Sequence, residues 1–224
     1  MQNLVAIVVD GLVYSSWLFI VALGLTLIFG VMKILNVTHG SFYAFGAYGA
    51  AVAVGMYFDR GLPAAGGFLL MVLVAAAVGL VLGLILERGL LRLFYGKDEI
   101  IVVLVTYAAF LILEDVIRLV FGATSYTLYQ PLGAAGTLDV GTFVLSGYDI
   151  LLVALATLVA LGASIALKYT RWGHLLTVVI FDRELAAAVG INVSAVYTIT
   201  FIAGAMLGAL GGAASMAPAM KVMV

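Results

Sequence analysis

Ionisable side chains gather in residues 171–193, RWGHLLTVVIFDRELAAAVGINV, of a chain in which such side chains are rare. The chain has 224 residues, of which 66% are hydrophobic and only 9% are charged. A charged segment between two apolar stretches is not expected in hydrocarbon, because unpaired charges there cost several kcal/mol. We therefore expect this segment to contact water, lipid headgroups or another protein.

The segment contains the pattern of a short helix. Asp182 can accept hydrogen bonds from the free N–H groups of the first turn, and Gly190 suits the left-handed position after the last turn, where Ile191 can pack back. Ser194 is expected to cap the apolar run that follows. Because so short a helix is marginal alone in water, it is either a connector lying in the headgroups or a coupling helix that docks in a groove of a separate motor protein. The apolar face available for either contact consists of Leu185, Ala188 and Val189.

A second group of charges, Glu114, Asp115 and Arg118, lies within an apolar run. If Phe121 marks the outer end of the run, Glu114 lies about 10 Å deep at 1.5 Å per residue. Glu114 and Arg118 are four residues apart and can pair on one helical face, whereas Asp115 has no obvious partner. The group is either a self-neutralising pair with Arg118 reaching outward or a polar wall of an outward-facing vestibule.

The third candidate is the stretch from Asn36 to Gly40, which lies between two apolar runs. Asn36 or Thr38 can cap the second run, Gly40 permits a tight re-entry of the chain, and His39 can donate to carbonyls left free at the break between helices. Structural capping is the interpretation we favour over direct contact with a transported solute. The only other histidine is His174 and no carboxylate cluster accompanies either, so no metal site is expected.

Several kinds of chemistry have no candidate residues. No G-x-x-x-x-G-K-[ST] phosphate loop is present, so ATP is not expected to bind this chain. No Ser-His-Asp set, His-Glu-x-x-His motif or carboxylate dyad occurs either, so we predict that the protein is not an enzyme and has no catalytic residues or cofactor of its own. A net charge of −1 argues against a nucleic-acid partner, and the absence of cysteine excludes disulfides.

These residues must be positioned by membrane-spanning helices. A spanning helix needs about 20 mostly apolar residues, and an apolar fraction of 66% is far above that of soluble domains. We predict an all-α, polytopic membrane protein with about six transmembrane helices in a single domain over residues 1–224. The predicted spans are Leu12–Phe29, Gly40–Phe58, Gly66–Leu86, Ile100–Phe121, Ile150–Leu167 and Ala195–Ala217.

The distribution of lysine and arginine predicts the orientation, because these residues concentrate in cytoplasmic loops. Most of them follow the first, third and fifth spans, whereas the other connections carry Arg60 and, near an edge, Arg118, and residues 122–149 contain none. The N-terminus is therefore expected outside, with 168–194 as a cytoplasmic coupling loop and 122–149 as an extracytoplasmic loop. The connections that carry the positive charges contain Lys33, Arg88, Arg92, Lys97, Lys168, Arg171 and Arg183.

The cytoplasmic segment resembles the corresponding loop of permease subunits of branched-chain amino acid ABC importers, whose pattern is roughly G-R-x-L-R-A-x-x-x-D-x-x-x-A-x-x-x-G-I. This chain departs from the pattern at His174, Thr177 and Phe181. The resemblance implies coupling to an ATPase through the 182–190 helix, including Arg183, Glu184 and Leu185. The matching residues are Gly173, Leu176, Asp182, Ala186, Gly190 and Ile191.

The first connection resembles the same family's N-terminal signature, Asn-x-x-His-Gly, at Asn36, His39 and Gly40. The Asp-rich motif of sugar permeases is absent at the corresponding place. Two motifs in the right order, on the same side of the membrane, extend the likeness from roughly Leu12 to Ala217. Because family members usually continue with further glycine-rich spans, the resemblance implies that the domain is incomplete at its C-terminus.

The resemblance implies an importer subunit in a bacterial or archaeal cytoplasmic membrane. Its partners would be two ATP-binding cassette ATPases that hold ATP and Mg²⁺, a homologous second permease and an extracytoplasmic solute-binding protein. The alternatives are a permease for urea or short amides, a stand-alone channel or secondary transporter, and an intramembrane enzyme or scaffold. A channel or secondary transporter would need an intramembrane polar site, which only Glu114 and Arg118 offer, and the intramembrane enzyme or scaffold has no catalytic set.

Overall fold

The computed structural model describes residues 2–122, 136–140 and 143–216. In these ranges the chain forms eight α-helices, one 3₁₀ helix and one antiparallel hairpin. The helices are α1 (Gln2–Met32), α2 (His39–Asp59), α3 (Ala64–Gly89), the 3₁₀ helix (Leu91–Phe94), α4 (Glu99–Phe121), α5 (Gly147–Tyr169), α6 (Arg171–Phe181), α7 (Arg183–Ala188) and α8 (Val193–Ser215), and the strands are β1 (Thr137–Val140) and β2 (Phe143–Ser146).

Six of the described helices are long and apolar enough to cross a membrane, namely α1 to α5 and α8. The prediction of an all-α membrane protein with about six spans is therefore confirmed. The helices α1, α3 and α5 finish at one end of the bundle, where α4 and α8 begin. We call this the α7 end and the opposite one the hairpin end.

The hairpin was not predicted, because the stretch before the fifth span was expected to be a loop. Thr137 pairs with Ser146 and Val140 with Phe143, so the two strands are in register over four residue pairs. The helix α5 then begins directly after β2, three residues before the predicted start at Ile150. Residues 123–135 and 141–142 of the expected extracytoplasmic loop lie outside the described residues, as does the tail after Met216.

Helix α8 is the centre of the bundle and packs against α1, α2 and α3. Its glycines, spaced four apart, allow these close approaches: a Cβ at Gly204 would lie 2.7 Å from the Gly24 carbonyl oxygen, and one at Gly212 would overlap the Tyr43 carbonyl. Small residues permit close helix contacts where lipid gives no hydrophobic driving force. The Gly204–Gly208–Gly212 series therefore forms the surface on which α8 packs closely against its neighbours.

An apolar cluster at the α7 end joins the spans to the short helices. The rings of Phe42 and Phe201 meet edge-to-face with centroids 5.7 Å apart, and both side chains are fully buried. Leu91 of the 3₁₀ helix and Ala186 of α7 belong to the same cluster. The short helix α7 is thus packed against the core of the bundle.

Candidate functional site

Helix α7 begins as the sequence predicts. The Asp182 backbone is extended, with φ −154° and ψ 105°, which turns its carboxylate back over the first turn. Its Oδ1 accepts hydrogen bonds from the N–H groups of Glu184 and Leu185, both at 2.9 Å. These are two of the N–H groups that lack partners within a helix, so the predicted N-cap is confirmed.

The end of α7 also follows the prediction. Gly190 has φ +88°, a left-handed conformation that favours glycine. Its N–H donates to the Ala187 carbonyl and the N–H of Ile191 donates to the Ala186 carbonyl, both at 3.0 Å. Ile191 packs against the apolar cluster, as expected for a residue that follows such a cap.

The predicted cap of the following helix is wrong by two residues. Helix α8 begins at Val193, and the side chain of Asn192 caps it by accepting from the Ala195 N–H at 3.0 Å. Ser194 lies within the first turn and offers its carbonyl to Thr198. Both residue types are good N-caps, so the local sequence alone did not decide between Asn192 and Ser194.

Helix α7 has one face in the bundle and one face outside it. Ala186 is completely buried, whereas Phe181 is 92% exposed, Val189 is 66% exposed and Leu185 is 57% exposed. We call these three exposed apolar side chains the coupling face: Phe181 ends α6, Leu185 lies in α7 and Val189 follows it directly. The charged residues Arg183 and Glu184 lie exposed on the same short helix.

Helix α6 was not predicted as a separate element. Thr170 caps it, with Oγ1 accepting from the Gly173 N–H at 3.2 Å. A Cβ at Gly173 would overlap the Leu167 carbonyl, so glycine allows α6 to fold tightly against the end of α5. Leu176 packs against the apolar cluster. The residues that match the family motif therefore separate into those that hold the loop on the bundle (Gly173, Leu176, Ala186, Ile191) and those that shape α7 (Asp182, Gly190).

The connection between α1 and α2 returns into the bundle. The Nε2–H of His39 donates to the Val21 carbonyl at 3.0 Å, since a carbonyl oxygen can only accept. Val21 precedes the end of α1 at Met32 by 11 residues, so the His39 side chain contacts α1 about 16 Å from the end of that helix at 1.5 Å per residue. The carbonyl that His39 binds thus belongs to the middle of α1, and the expectation of a carbonyl at the helix break is wrong.

Polar side chains satisfy the irregular backbone of this connection. Asn36 Oδ1 accepts from the backbone N–H of Thr38 at 3.2 Å and from its hydroxyl at 2.5 Å. The Val37 N–H donates to the Thr106 hydroxyl of α4 at 3.3 Å. Non-helical backbone at membrane depth requires such partners, so the geometry supports the structural interpretation of Asn36 and His39.

The details of the predicted cap differ. Thr38 occupies the N-cap position of α2 without a side-chain cap, because its hydroxyl is used by Asn36. Gly40 lies within the first turn of α2, where an added Cβ would lie 3.7 Å from the ring of Phe110, so no close contact requires glycine there. The left-handed residue of this connection is Lys33, with φ +56°.

The charges of α4 lie together on an exposed face near its hairpin end. Arg118 binds Glu114 at 2.5 Å and approaches Asp115 at 4.0 Å, so the expectation that Asp115 lacks a partner is wrong. The side chains are 66%, 41% and 75% exposed, respectively. This geometry supports the self-neutralising group, and a vestibule role for Glu114, Asp115 and Arg118 stays a prediction.

Sequence reasoning missed Glu87, which is completely buried near the end of α3. Its Oε1 accepts from the hydroxyls of Tyr95 and Thr198, both at 2.7 Å, and its Oε2 has no partner. Burial, followed by the hydrogen bond to Glu87, raises the pKa of Tyr95, so the phenol keeps its proton and donates. The only signal in the sequence was a carboxylate directly after the predicted third span, which ended at Leu86.

The comparisons with known proteins agree with this geometry. The family described as branched-chain amino acid transport system / permease component matches residues 7–220. The permease protein BraD of the high-affinity branched-chain amino acid transport system of Pseudomonas aeruginosa is 25% identical over 209 residues, which cover 90% of this chain and 67% of BraD. LivH of the same kind of system in Escherichia coli K12 is 23% identical over 211 residues, or 91% of this chain and 67% of LivH.

An archaeal relative shares the same region. The probable branched-chain amino acid transport permease protein LivH of Methanocaldococcus jannaschii is 28% identical over 208 residues, or 90% of this chain and 63% of that protein. No solved structure gives a significant match. Because the family match extends over almost the whole length and includes both motifs described above, the chain belongs to the family of branched-chain amino acid transport permease components.

Proposed function

We propose that this chain is the permease subunit of an ATP-binding cassette importer for branched-chain or related amino acids in the cytoplasmic membrane of a bacterium or archaeon. The relatives named above are permeases of branched-chain amino acid transport systems, which favours this solute class over urea or short amides. The observation that carries the proposal is the form of α7: a capped helix, attached through buried Ala186, that leaves an apolar face exposed.

The coupling face favours a protein partner over lipid headgroups. The large apolar side chains of this face lie beside the exposed charges of Arg183 and Glu184, and Leu185 itself belongs to the capped helix α7. An apolar helix face of this kind fits a hydrophobic groove, and in this proposal the groove belongs to an ATPase subunit. The ATPases hold ATP and Mg²⁺, and this chain holds neither.

The mechanism follows from how α7 is connected. When two ATPase subunits close on ATP, they displace α7, and α8 begins only five residues after α7 ends. Because α8 packs on α1, α2 and α3, its displacement changes the packing of the central spans. Nucleotide binding can shift access from one side to the other only if the ATPases bind the two arrangements with different affinity.

The proposal includes two further partners. A homologous second permease would complete the solute pathway, and an extracytoplasmic binding protein would deliver the solute at the hairpin end. In this arrangement the binding protein determines most of the solute selectivity. The stand-alone channel or secondary transporter remains the competing function, and it differs by requiring no ATPase.

Uptake into proteoliposomes tests the function directly. We expect radiolabelled leucine, isoleucine or valine to accumulate only when the permease, the ATPase subunits, the binding protein and Mg-ATP are all present. Vesicles with a hydrolysis-deficient ATPase provide the matched control. Equal solute entry without ATP, or a chain that never co-purifies with an ATPase, would instead indicate a stand-alone transporter.

The orientation has its own test, because the chain contains no cysteine. In the proposed orientation Thr137 of β1 lies outside and Phe181 lies in the cytoplasm; both positions are exposed. We expect a membrane-impermeant thiol reagent to label Thr137→Cys in intact cells and Phe181→Cys only after the membrane is opened. The opposite labelling pattern would reverse the topology, and the unmodified chain measures the background.

A further inference from the structure

Glu87 links three segments at the α7 end of the bundle. It belongs to α3, Tyr95 follows the 3₁₀ helix, and Thr198 lies in the second turn of α8. Both hydroxyls donate to the same carboxylate oxygen at 2.7 Å. We propose that Glu87 is a positioning residue through which displacement of α7 reaches α3. This inference rests on the proposed function, in which α7 is moved by an ATPase.

The residues around Glu87 connect it to α7. Ala186 of α7 is buried in the same apolar cluster as Leu86, the neighbour of Glu87 in α3, and Tyr197, the neighbour of Thr198 in α8. The ring of Tyr197 also meets the ring of Tyr95 edge-to-face, with centroids 5.3 Å apart. A shift of α7 therefore moves the residues that hold both donors of Glu87.

Thr198 can form its hydrogen bond in two arrangements, one with Glu87 and one without. Its hydroxyl carries one hydrogen but has two acceptors within reach, Glu87 Oε1 at 2.7 Å and the Ser194 carbonyl at 3.0 Å. A threonine in a helix often donates to the carbonyl four residues earlier. When the first turns of α8 shift, the hydroxyl can keep the bond to Ser194 and release Glu87. In this proposal the hydrogen bond between Thr198 and Glu87 is the two-state element that couples α8 to α3.

The second carboxylate oxygen of Glu87, Oε2, is better explained by a hydrogen-bond network that rearranges than by a static one. Oε2 is buried and has no hydrogen-bond partner. Buried polar atoms in static networks are normally satisfied, and leaving one without a partner is unfavourable. In the other arrangement Oε2 is available to a donor that arrives when Oε1 loses Thr198. The carboxylate then accepts two hydrogen bonds in each arrangement.

The test measures solute transported per ATP hydrolysed in the complete reconstituted complex. We expect Glu87→Leu to lower this ratio about tenfold, within the usual range of coupling between sites, while ATP hydrolysis continues. Glu87→Gln should lower the ratio less than Glu87→Leu, because its carboxamide oxygen can accept both hydroxyls whereas its NH2 group cannot accept from the donor that reaches Oε2. Thr198→Val, which leaves the bond of Tyr95 intact, should lower the ratio in the same direction.

Tyr148→Phe is the matched control. The Tyr148 hydroxyl is buried and donates to the Ala214 carbonyl of α8 at 2.9 Å, at the end of the helix far from α7. Its loss should lower thermal stability without changing the ratio. If Glu87→Leu and Thr198→Val reduce assembled complex, uptake and hydrolysis in proportion, or leave the ratio unchanged, Glu87 is only structural and the inference is wrong. The wild-type complex reports separately on the proposed function, since that proposal fails if wild-type uptake proceeds without ATP or if no ATPase co-purifies with the chain.

Discussion

Replacing Gly212 with alanine will separate α8 from α2 and greatly destabilise the folded chain. A Cβ at this position would overlap the carbonyl oxygen of Tyr43 and lie 2.7 Å from its carbonyl carbon and 2.9 Å from its Cα. All three are backbone atoms, so no side-chain rotation relieves the overlap and the helices must move apart. Overpacking costs about 1–3 kcal/mol where side chains can adjust, and we expect a loss at or above the upper end of that range.

Gly55→Ala is the matched control, because the same substitution occurs in α2 where no atom lies within 4 Å of the new Cβ. Alanine stabilises a helix interior by up to about 1 kcal/mol relative to glycine, so this variant should be neutral or slightly more stable. The measurement is the fraction of detergent-solubilised protein that remains monodisperse after heating. If both variants lose half of their monodisperse fraction at similar temperatures, α8 does not approach α2 as closely as described.

The membrane spans could be predicted from the sequence because their signal is local and repeated. About 20 consecutive apolar residues suffice to identify a span. In the described ranges each predicted window coincides with a helix to within a few residues, except that α1 begins at Gln2, ten residues before the predicted Leu12. The start of α5 was placed late, at Ile150, because the hairpin before Gly147 was taken as loop. Two four-residue strands next to a span carry too little alternation to be distinguished from a polar connection.

The candidate site likewise has features that the sequence predicts and features that it does not. The ends of α7 depend on a residue and its immediate neighbours, so Asp182 and Gly190 were recognisable from type and spacing. The contacts of Glu87 join residues 8 and 111 positions apart, and His39 reaches a carbonyl 18 positions away. No periodicity or motif records such pairs, because they arise from the packing of one helix against another.

Combining Asp182→Ala with Gly190→Val will uncouple ATP hydrolysis from uptake while leaving membrane insertion intact. The first change removes the cap from two N–H groups, at about 1 kcal/mol. The second places a β-branched residue at φ +88°, where a side chain costs roughly 1–2 kcal/mol or more. A helix of six residues has little stability of its own to offset these losses, so the coupling face will lose its shape.

Substrate-stimulated ATP hydrolysis and solute uptake by the reconstituted complex are the quantities to compare. We expect stimulation and uptake both to fall to near background, with normal amounts of the chain in the membrane, because the six spans do not depend on α7 for their hydrophobic length. Asp182→Asn is the control: asparagine caps about as well as aspartate, so this variant should retain coupling if the cap matters and lose it if the charge contacts the ATPase. Unchanged stimulation in the double variant would show that α7 is a passive connector and that the ATPases act on the spans through another part of the chain.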